Sequence, residues 1–381
     1  MSNKMNLSEI VLLNLLSDSL FSISHSYSDN TDWNAVLDEA QKQAVAGLIY
    51  DRLPDSARPA EQQILLEAQY VQYMCAEEDL LRLLSDQHIP AVILKGSAAA
   101  VYYPHPSKRS FGDIDVLVPV QEYEKAKRLL SSSGYRQQFE DTGDRHCDYI
   151  KDGIPIELHH RFSFDDLDIE NYIIEGFKKP DQGSIEGHEF PMLPKLANGL
   201  VLLAHMRHHL QSGMGLRQMI DWMMYCDKVL DDTFWQKEFM IACDKTGMTT
   251  LAVTATAMCQ KYLGLKKTIT WCKGADEALC DMLMSSLFSS GNFGMKNGKG
   301  SKVEYIVSQL REEGLFHRLQ RAGEHNWEKY HTHHWLKPLC WSYQIFRYMK
   351  QGITTNRRSG LTKDFYRGNK RYNLLKKIKI E

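Results

Sequence analysis

Residues 94–118 read LKGSAAAVYYPHPSKRSFGDIDVLV, and the order of apolar, small and acidic residues in this stretch decides how the chain folds. Upstream, Ala91-Val92-Ile93-Leu94 is an apolar run of strand length, and Gly96-Ser97 breaks it before a small-residue helical segment, Ala98 to Tyr103. The local reading is strand, tight turn, helix start. Downstream, Asp113 to Val118 reads as a second strand. Asp113 and Asp115, two apart, leave one of its faces while Ile114 and Val116 enter the core.

Two carboxylates on one face of an otherwise apolar strand call for a cation. Side chains at i and i+2 are rooted about 6–7 Å apart, so their oxygens can converge on two Mg²⁺ ions ~3.5–4 Å from each other, the arrangement of two-metal phosphoryl transfer. Mg²⁺ takes few carboxylates and fills its remaining positions with substrate phosphates. The Gly96-Ser97 turn supplies an anion site: backbone N–H groups at a helix start attract phosphate, and glycine lets a triphosphate approach the backbone closely.

A Gly-Ser turn followed by D-x-D on the next strand resembles the nucleotidyltransferase superfamily with the polymerase-β-like palm. More narrowly, LKGSAAAVYYP, then RSFGDIDVLV, then IELHH (Ile156 to His160) is similar to the family of uncharacterised bacterial nucleotidyltransferases often associated with polysaccharide-biosynthesis loci. The resemblance covers the middle of the chain well and the flanks loosely. It implies an α+β fold: a polymerase-β-like palm, a mixed sheet with flanking helices, between helical N-terminal and C-terminal regions. It also implies Mg²⁺ (or Mn²⁺) and a nucleoside triphosphate donor, with ATP the expected one. Asp113 and Asp115 then hold the metal, and Glu157 is the third carboxylate, on a neighbouring strand, where the family more often carries aspartate.

Other positions match the family pattern while keeping a second meaning. Lys95 and Arg109 could hold triphosphate oxygens, as cations do in phosphoryl transfer. Lys95 could equally be a solvated strand-end side chain, and Arg109 a salt bridge that steadies its loop. His159, two residues after Glu157, lines the cleft or serves as a hydrogen-bonding structural histidine.

Composition sets the outer bounds. The 381 residues, 43% hydrophobic and 25% charged, provide ample core for two or three domains. A net charge of −2 gives no global drive toward nucleic acid or anionic membrane. Eight cysteines without a C-x-x-C pair argue against a zinc knuckle and for a reduced, cytoplasmic setting. No stretch is long and apolar enough to span a bilayer.

Along the chain we expect an N-terminal helical region (1–86), the palm (87–190), a C-terminal helical domain (191–350) and a basic tail (351–381). The first region divides into helices over Leu7 to Leu20, Trp33 to Leu53 and Ala60 to Asp86, with Glu77, Glu78 and Asp79 as a solvated face. Within the palm, a helix over Val120 to Ser133 precedes a strand, Tyr135 to Phe139. A hairpin then joins Cys147–Lys151 to Ile154–His159 through Asp152-Gly153. Asp165 to Glu170 and Lys179 to Pro194 read as loops.

In the C-terminal half, His205, His208 and His209 lie on a buried-looking helix. With no third ligand at a defined spacing they are not read as zinc ligands, and His205 and His209 are read instead as contacts to the base or acceptor. Arg217 and Asp221, at i and i+4, read first as a helix-surface ion pair and, through the family resemblance, as part of the substrate pocket. Gly291 to Gly300 reads as a flexible loop, and His331, His333 and His334 as a helix boundary. The tail, rich in Lys and Arg with Tyr366 and Tyr372 interleaved, is solvated or binds RNA, anionic lipid or acidic glycan.

The expected activity is metal-dependent transfer of a nucleoside monophosphate to a small molecule, sugar or protein acceptor, with release of pyrophosphate. Two readings stand beside it: an RNA-directed or toxin-like nucleotidyltransferase, and a nucleotide-binding scaffold without turnover.

Overall fold

The computed structural model describes residues 5–140, 145–162, 166–265, 269–292, 296, 320, 323–324, 327, 330, 333–354 and 373–378. The readings of Asp165, of residues 293–295 and 297–300, of His331 and of most of the basic tail lie outside these residues.

The N-terminal helices are α1 (Leu7–Phe21), α2 (Trp33–Lys42), α3 (Ala46–Ile49) and α4 (Ala60–Asp86). Asn6 and Glu9 form a capping box at the start of α1, and the Asp32 carboxylate caps α2 by accepting from Ala35 N at 3.0 Å. The single helix expected over Trp33 to Leu53 is broken. Ala44 adopts φ +55°, a left-handed conformation that cannot continue a right-handed helix, and the chain restarts as α3 and a short 3₁₀ turn. In the 27-residue α4 one stripe is buried, Tyr73, Glu77, Leu80 and Leu84, at helical spacing. Glu78 and Asp79 are exposed as a solvated face requires, but Glu77 sits in the stripe with no exposed surface.

Seven strands make one mixed sheet: β1 (Val92–Ile93), β2 (Ile114–Leu117), β3 (Arg136–Glu140), β4 (His146–Lys151), β5 (Ile154–His159), β6 (Asp181–Ile185) and β7 (His188–Met192). Their order is β3-β4-β5-β2-β1-β7-β6. β1 is antiparallel to β2 and parallel to β7, while β2 is parallel to β5. Between them run α5 (Ser97–Ala100), α6 (Tyr123–Ser132) and α7 (Leu167–Phe177).

Residues 166–170 and Lys179 to Pro194, read as loops from sequence, are ordered here. Asp166 caps α7 by accepting from Ile169 N at 3.1 Å. Lys179 to Pro194 contains the β6–β7 hairpin, whose Glu186 and Gly187 turn the chain at φ +50° and +91°. The polar composition of β6, DQGSI, hides a strand whose alternate residues Gly183 and Ile185 alone are buried.

The remaining helices are α8 (Lys195–Ser212), α9 (Leu216–Lys228), α10 (Asp232–Phe234), α11 (Met240–Lys245), α12 (Thr249–Tyr262), α13 (Glu277–Ser290) and α14 (Cys340–Thr354). Every residue of α9 from Leu216 to Cys226 is buried. This is the central helix of the domain, and it packs on α8, α12 and α5. Trp222 donates through Nε1 to Thr256 Oγ1 at 3.0 Å, and the N-terminal region closes the start of α9, where Gln43 Oε1 accepts from Leu216 N at 3.0 Å. One continuous core therefore joins the N-terminal helices, the sheet and the helical layer. The architecture is α+β, and no described helix is long and apolar enough to cross a membrane.

Gly96 shows how α4 shapes the loop after β1. Its φ of +58° is a conformation that L side chains rarely adopt, and an added Cβ would overlap Tyr73 Oη, which donates to Asp113 O at 3.2 Å. Gly96→Ala should therefore cost about 1–3 kcal/mol, read as a lowered urea midpoint, and Tyr73→Phe in the same chain should recover part of that loss by removing the overlapping oxygen.

Candidate active site

β2, β5 and β4 lie side by side, and their register builds the site. Asp115 pairs with Glu157, which pairs in turn with Asp148, and His159 pairs with His146 one step along. Because side chains alternate along a strand, these five residues share one face. Ile114, Val116, Ile156, Leu158, Cys147 and Tyr149 are packed into the core on the other face, each at most 1% exposed. The outcome is a row of three carboxylates, with two imidazoles beside it.

Asp115 is 1% exposed. Lys95 Nζ lies 2.6 Å from its Oδ1, and His159 Nε2 lies 3.1 Å from the same oxygen and 3.1 Å from Glu157 Oε2. Both donors converge on Oδ1, so Asp115 Oδ2 is buried without a hydrogen-bond partner among the described residues. A carboxylate oxygen in that position is costly unless something else binds it.

The electrostatics follow from this packing. Burial works against charge on His159, but its hydrogen bonds to Asp115 and Glu157 outweigh burial and raise it to about 9. Burial likewise works to raise Glu157, but the His159 hydrogen bond and the Lys95 charge hold it down at about 2. Lys95, buried beside Asp115, Asp113 and Glu157, is raised above the ordinary lysine value because those charges outweigh the loss of solvent. Burial also raises the Asp148 carboxyl. Four carboxylates thus face one ammonium and the imidazoles, a surplus of negative charge.

That donor set fits a divalent cation. One ligand atom from each of Asp115, Glu157 and His159 lies within 4.8 Å of the others, and the same holds for His146, Asp148 and Glu157. Asp113 joins neither group, although its charge acts on both Lys95 and Glu157.

Sequence reasoning passed over Asp148 and His146. The signal was available: Asp152 and Gly153, at φ +51° and +83°, make a two-residue turn, which fixes the hairpin register and sets residue 148 opposite 157 and 146 opposite 159.

The Gly-Ser turn lies at the end of β1 next to β2, where Leu94 N donates to Asp115 O at 3.0 Å. Ser97 is fully buried and its Oγ donates to Glu77 Oε2 at 2.9 Å, while His188 Nε2 lies 3.0 Å from Glu77 Oε1. Glu77, expected on a solvated face, is instead the post that ties α4, the Gly-Ser turn and β7 together. A lone carboxylate would not survive such burial; the serine hydroxyl and the imidazole satisfy its two oxygens.

Arg109 and Asp221 form a buried fork, Nε to Oδ1 and Nη2 to Oδ2 both at 2.7 Å, and Tyr103 Oη donates to Asp221 Oδ1 at 2.7 Å. Asp221 raises Arg109 above its ordinary value despite burial. The helix-surface ion pair expected for Arg217 and Asp221 is thereby corrected: both residues are buried because α9 is enclosed on all sides, and the Asp221 carboxylate faces Arg109. Arg217 reaches Ser110 O at 3.5 Å, and burial together with the Arg109 charge lowers it. His205 and His209 on α8 meet at 2.7 Å through their Nε2 atoms. Burial lowers both, His209 to about 3, with the charges of Lys95 and Arg217 acting in the same sense.

Two outcomes follow. Asp221→Ala leaves the Arg109 guanidinium buried without its carboxylate and should lower stability by about 3–5 kcal/mol in urea unfolding. His188 is raised above 6.5 by its hydrogen bond to Glu77. Its stabilising contribution is therefore fully present below pH 6.5 and lost as pH rises through the native value. Relative to His188→Gln, the wild type should lose stability across that window, and parallel pH curves for the two proteins would count against the contact.

No curated protein matches the chain. Among solved structures it is similar to the antibiotic-resistance factor ANT(2'')-Ia, at 12% identity and a TM-score of 0.34, over 51% of this chain and 96% of that one. It is also similar to an antigenic nucleotidyltransferase-like protein from Paracoccidioides brasiliensis, at 16% identity and a TM-score of 0.33, over 51% and 92%. Residues 29–264, from the start of α2 past the end of α12 and including all seven strands, match the family described as uncharacterised nucleotidyltransferase, and the chain belongs to that family.

Proposed function

We propose that the protein transfers a nucleoside monophosphate from a nucleoside triphosphate, with ATP as the donor, to a hydroxyl-bearing acceptor, either a small molecule or sugar or a protein side chain. Family membership supports nucleotidyl transfer in general. The observation that carries the finer reading is the buried Asp115, with Oδ2 open, in register with Glu157 and adjoining the Gly-Ser turn.

In this reading Asp113, Asp115 and Glu157 hold Mg²⁺ or Mn²⁺, with His159 at the same carboxylates. Such ions stabilise the charge on the attacking and leaving oxygens. Gly96 and Ser97 take the triphosphate through their backbone. The Ser97 hydroxyl is committed to Glu77, and α5 is a single turn, so close approach at Gly96 matters more than a helix dipole. Lys95, charged at neutral pH, adds a cation at the carboxylates.

Glu157 is ionised at any physiological pH and orients the acceptor hydroxyl by accepting its hydrogen bond. The acceptor oxygen bonds to the α-phosphorus, the bond from that phosphorus to the bridging oxygen breaks, and pyrophosphate carries away the electron pair. The hydroxyl proton passes to solvent water beside Glu157, whose side chain is 29% exposed.

The Arg109–Asp221 fork and Arg217 brace the loop that leads into Asp113. His205 and His209, an uncharged pair, face the acceptor or base. The same proposal assigns the palm to residues 87–190 and cleft closure to the helical domain, 191–350.

Calorimetric titration of ATP, GTP, CTP and UTP with and without Mg²⁺ tests the reading. We expect Mg²⁺-dependent binding of ATP, weakened at least tenfold by Asp113→Ala/Asp115→Ala. A chain that binds no triphosphate under these conditions would remove the enzyme reading.

A further inference from the structure

The face that carries the site extends one strand beyond the three carboxylates expected from sequence. β4 contributes His146 and Asp148, paired across the hairpin with His159 and Glu157. His146 Nε2 lies 3.2 Å from Asp148 Oδ1, and one ligand atom from each of His146, Asp148 and Glu157 lies within 4.8 Å of the others. All three side chains are partly exposed, 15%, 32% and 29%, so an ion can enter from solvent. The His146 and His159 rings lie 4.9 Å apart, centroid to centroid.

Glu157 belongs to both groups of three, and a carboxylate has two oxygens and can bridge two ions. An independent observation points to a bound ion in the same row: Asp115, two strands from Asp148, is 1% exposed with an oxygen that no described residue satisfies. The row thus leaves one carboxylate oxygen unsatisfied at its buried end and sets an imidazole beside two carboxylates at its open end.

We infer that His146, Asp148 and Glu157 form a second cation subsite, on the hairpin side of Glu157, that takes a borderline divalent transition ion of the Mn²⁺, Co²⁺ or Zn²⁺ class. Mg²⁺ favours an all-oxygen octahedron, whereas an imidazole beside two carboxylates suits the first-row transition ions. The role of the second ion in turnover rests on the proposed nucleotidyl transfer, but its binding does not and can be measured without nucleotide.

The experiment counts Mn²⁺ bound to the full chain by the loss of the free-ion electron paramagnetic resonance signal, with no nucleotide present. The wild type should bind about two ions, and His146→Gln and Asp148→Asn about one each. Both variants keep Asp115, Glu157 and His159, and an unchanged circular dichroism spectrum shows that they fold. Asp148→His, which keeps a ligand atom, should return the count to about two. A wild type that binds one ion, or variants that still bind two, would overturn the subsite. If such a chain still transfers nucleotide, only the subsite falls; if ion counts behave as expected while no triphosphate binds, only the nucleotidyl-transfer reading falls.

Discussion

Everything in the site depends on keeping one carboxylate out of water. Asp115 sits on the middle strand of a seven-stranded sheet, 1% exposed, with Lys95 and His159 both on Oδ1. An ionised carboxylate in such a place costs several kcal/mol unless paired, and at an effective permittivity near 20 one unit charge at about 4 Å returns on the order of 4 kcal/mol. Lys95 and His159 answer that one carboxylate, but Glu157 and Asp148 stand beside it in the same row. The buried walls around this face make each of these interactions stronger than it would be in water.

The elements around that face are tied to it by buried polar contacts rather than by apolar packing alone. Glu77 links α4 to the Gly-Ser turn and to β7 through Ser97 and His188. Asp221 links α9 to the loop before β2 through Arg109 and Tyr103. Apolar contacts tolerate sliding by a fraction of an ångström at little cost, whereas a bidentate fork at 2.7 Å does not. These contacts fix the position of Gly96 and of the loop before β2.

Much of this was legible in the chain. The D-x-D strand, the Gly-Ser turn, the hairpin at Asp152-Gly153 and the long α4 follow from period, turn chemistry and caps, which are local properties. The failures have a common cause. Glu77 looked like a solvated residue in an acidic cluster, Asp221 like half of a surface ion pair, and DQGSI like a loop: the deciding partners of the first two, and the β1 strand that seats the β6–β7 hairpin, are far away in sequence. Glu77 meets His188 and Ser97, Asp221 meets Arg109, and β6 is held by β7, itself placed against β1. Asp148 is the intermediate case: its partner, nine positions on, was recoverable from the turn between them.

By itself the sequence determined the local grammar of the protein: which segments are helix or strand and where glycine must turn the chain. Those features depend on a residue and its neighbours within a few positions. Only the tertiary structure decided which charges meet. Lys95 points into the acidic row rather than toward solvent, Arg109 is claimed by Asp221, and the row continues from Glu157 to Asp148. The physical reason is that a charge takes its meaning from its surroundings: burial makes an unpaired carboxylate intolerable, and the groups that relieve it are brought together by the sheet and the helices, not by the chain.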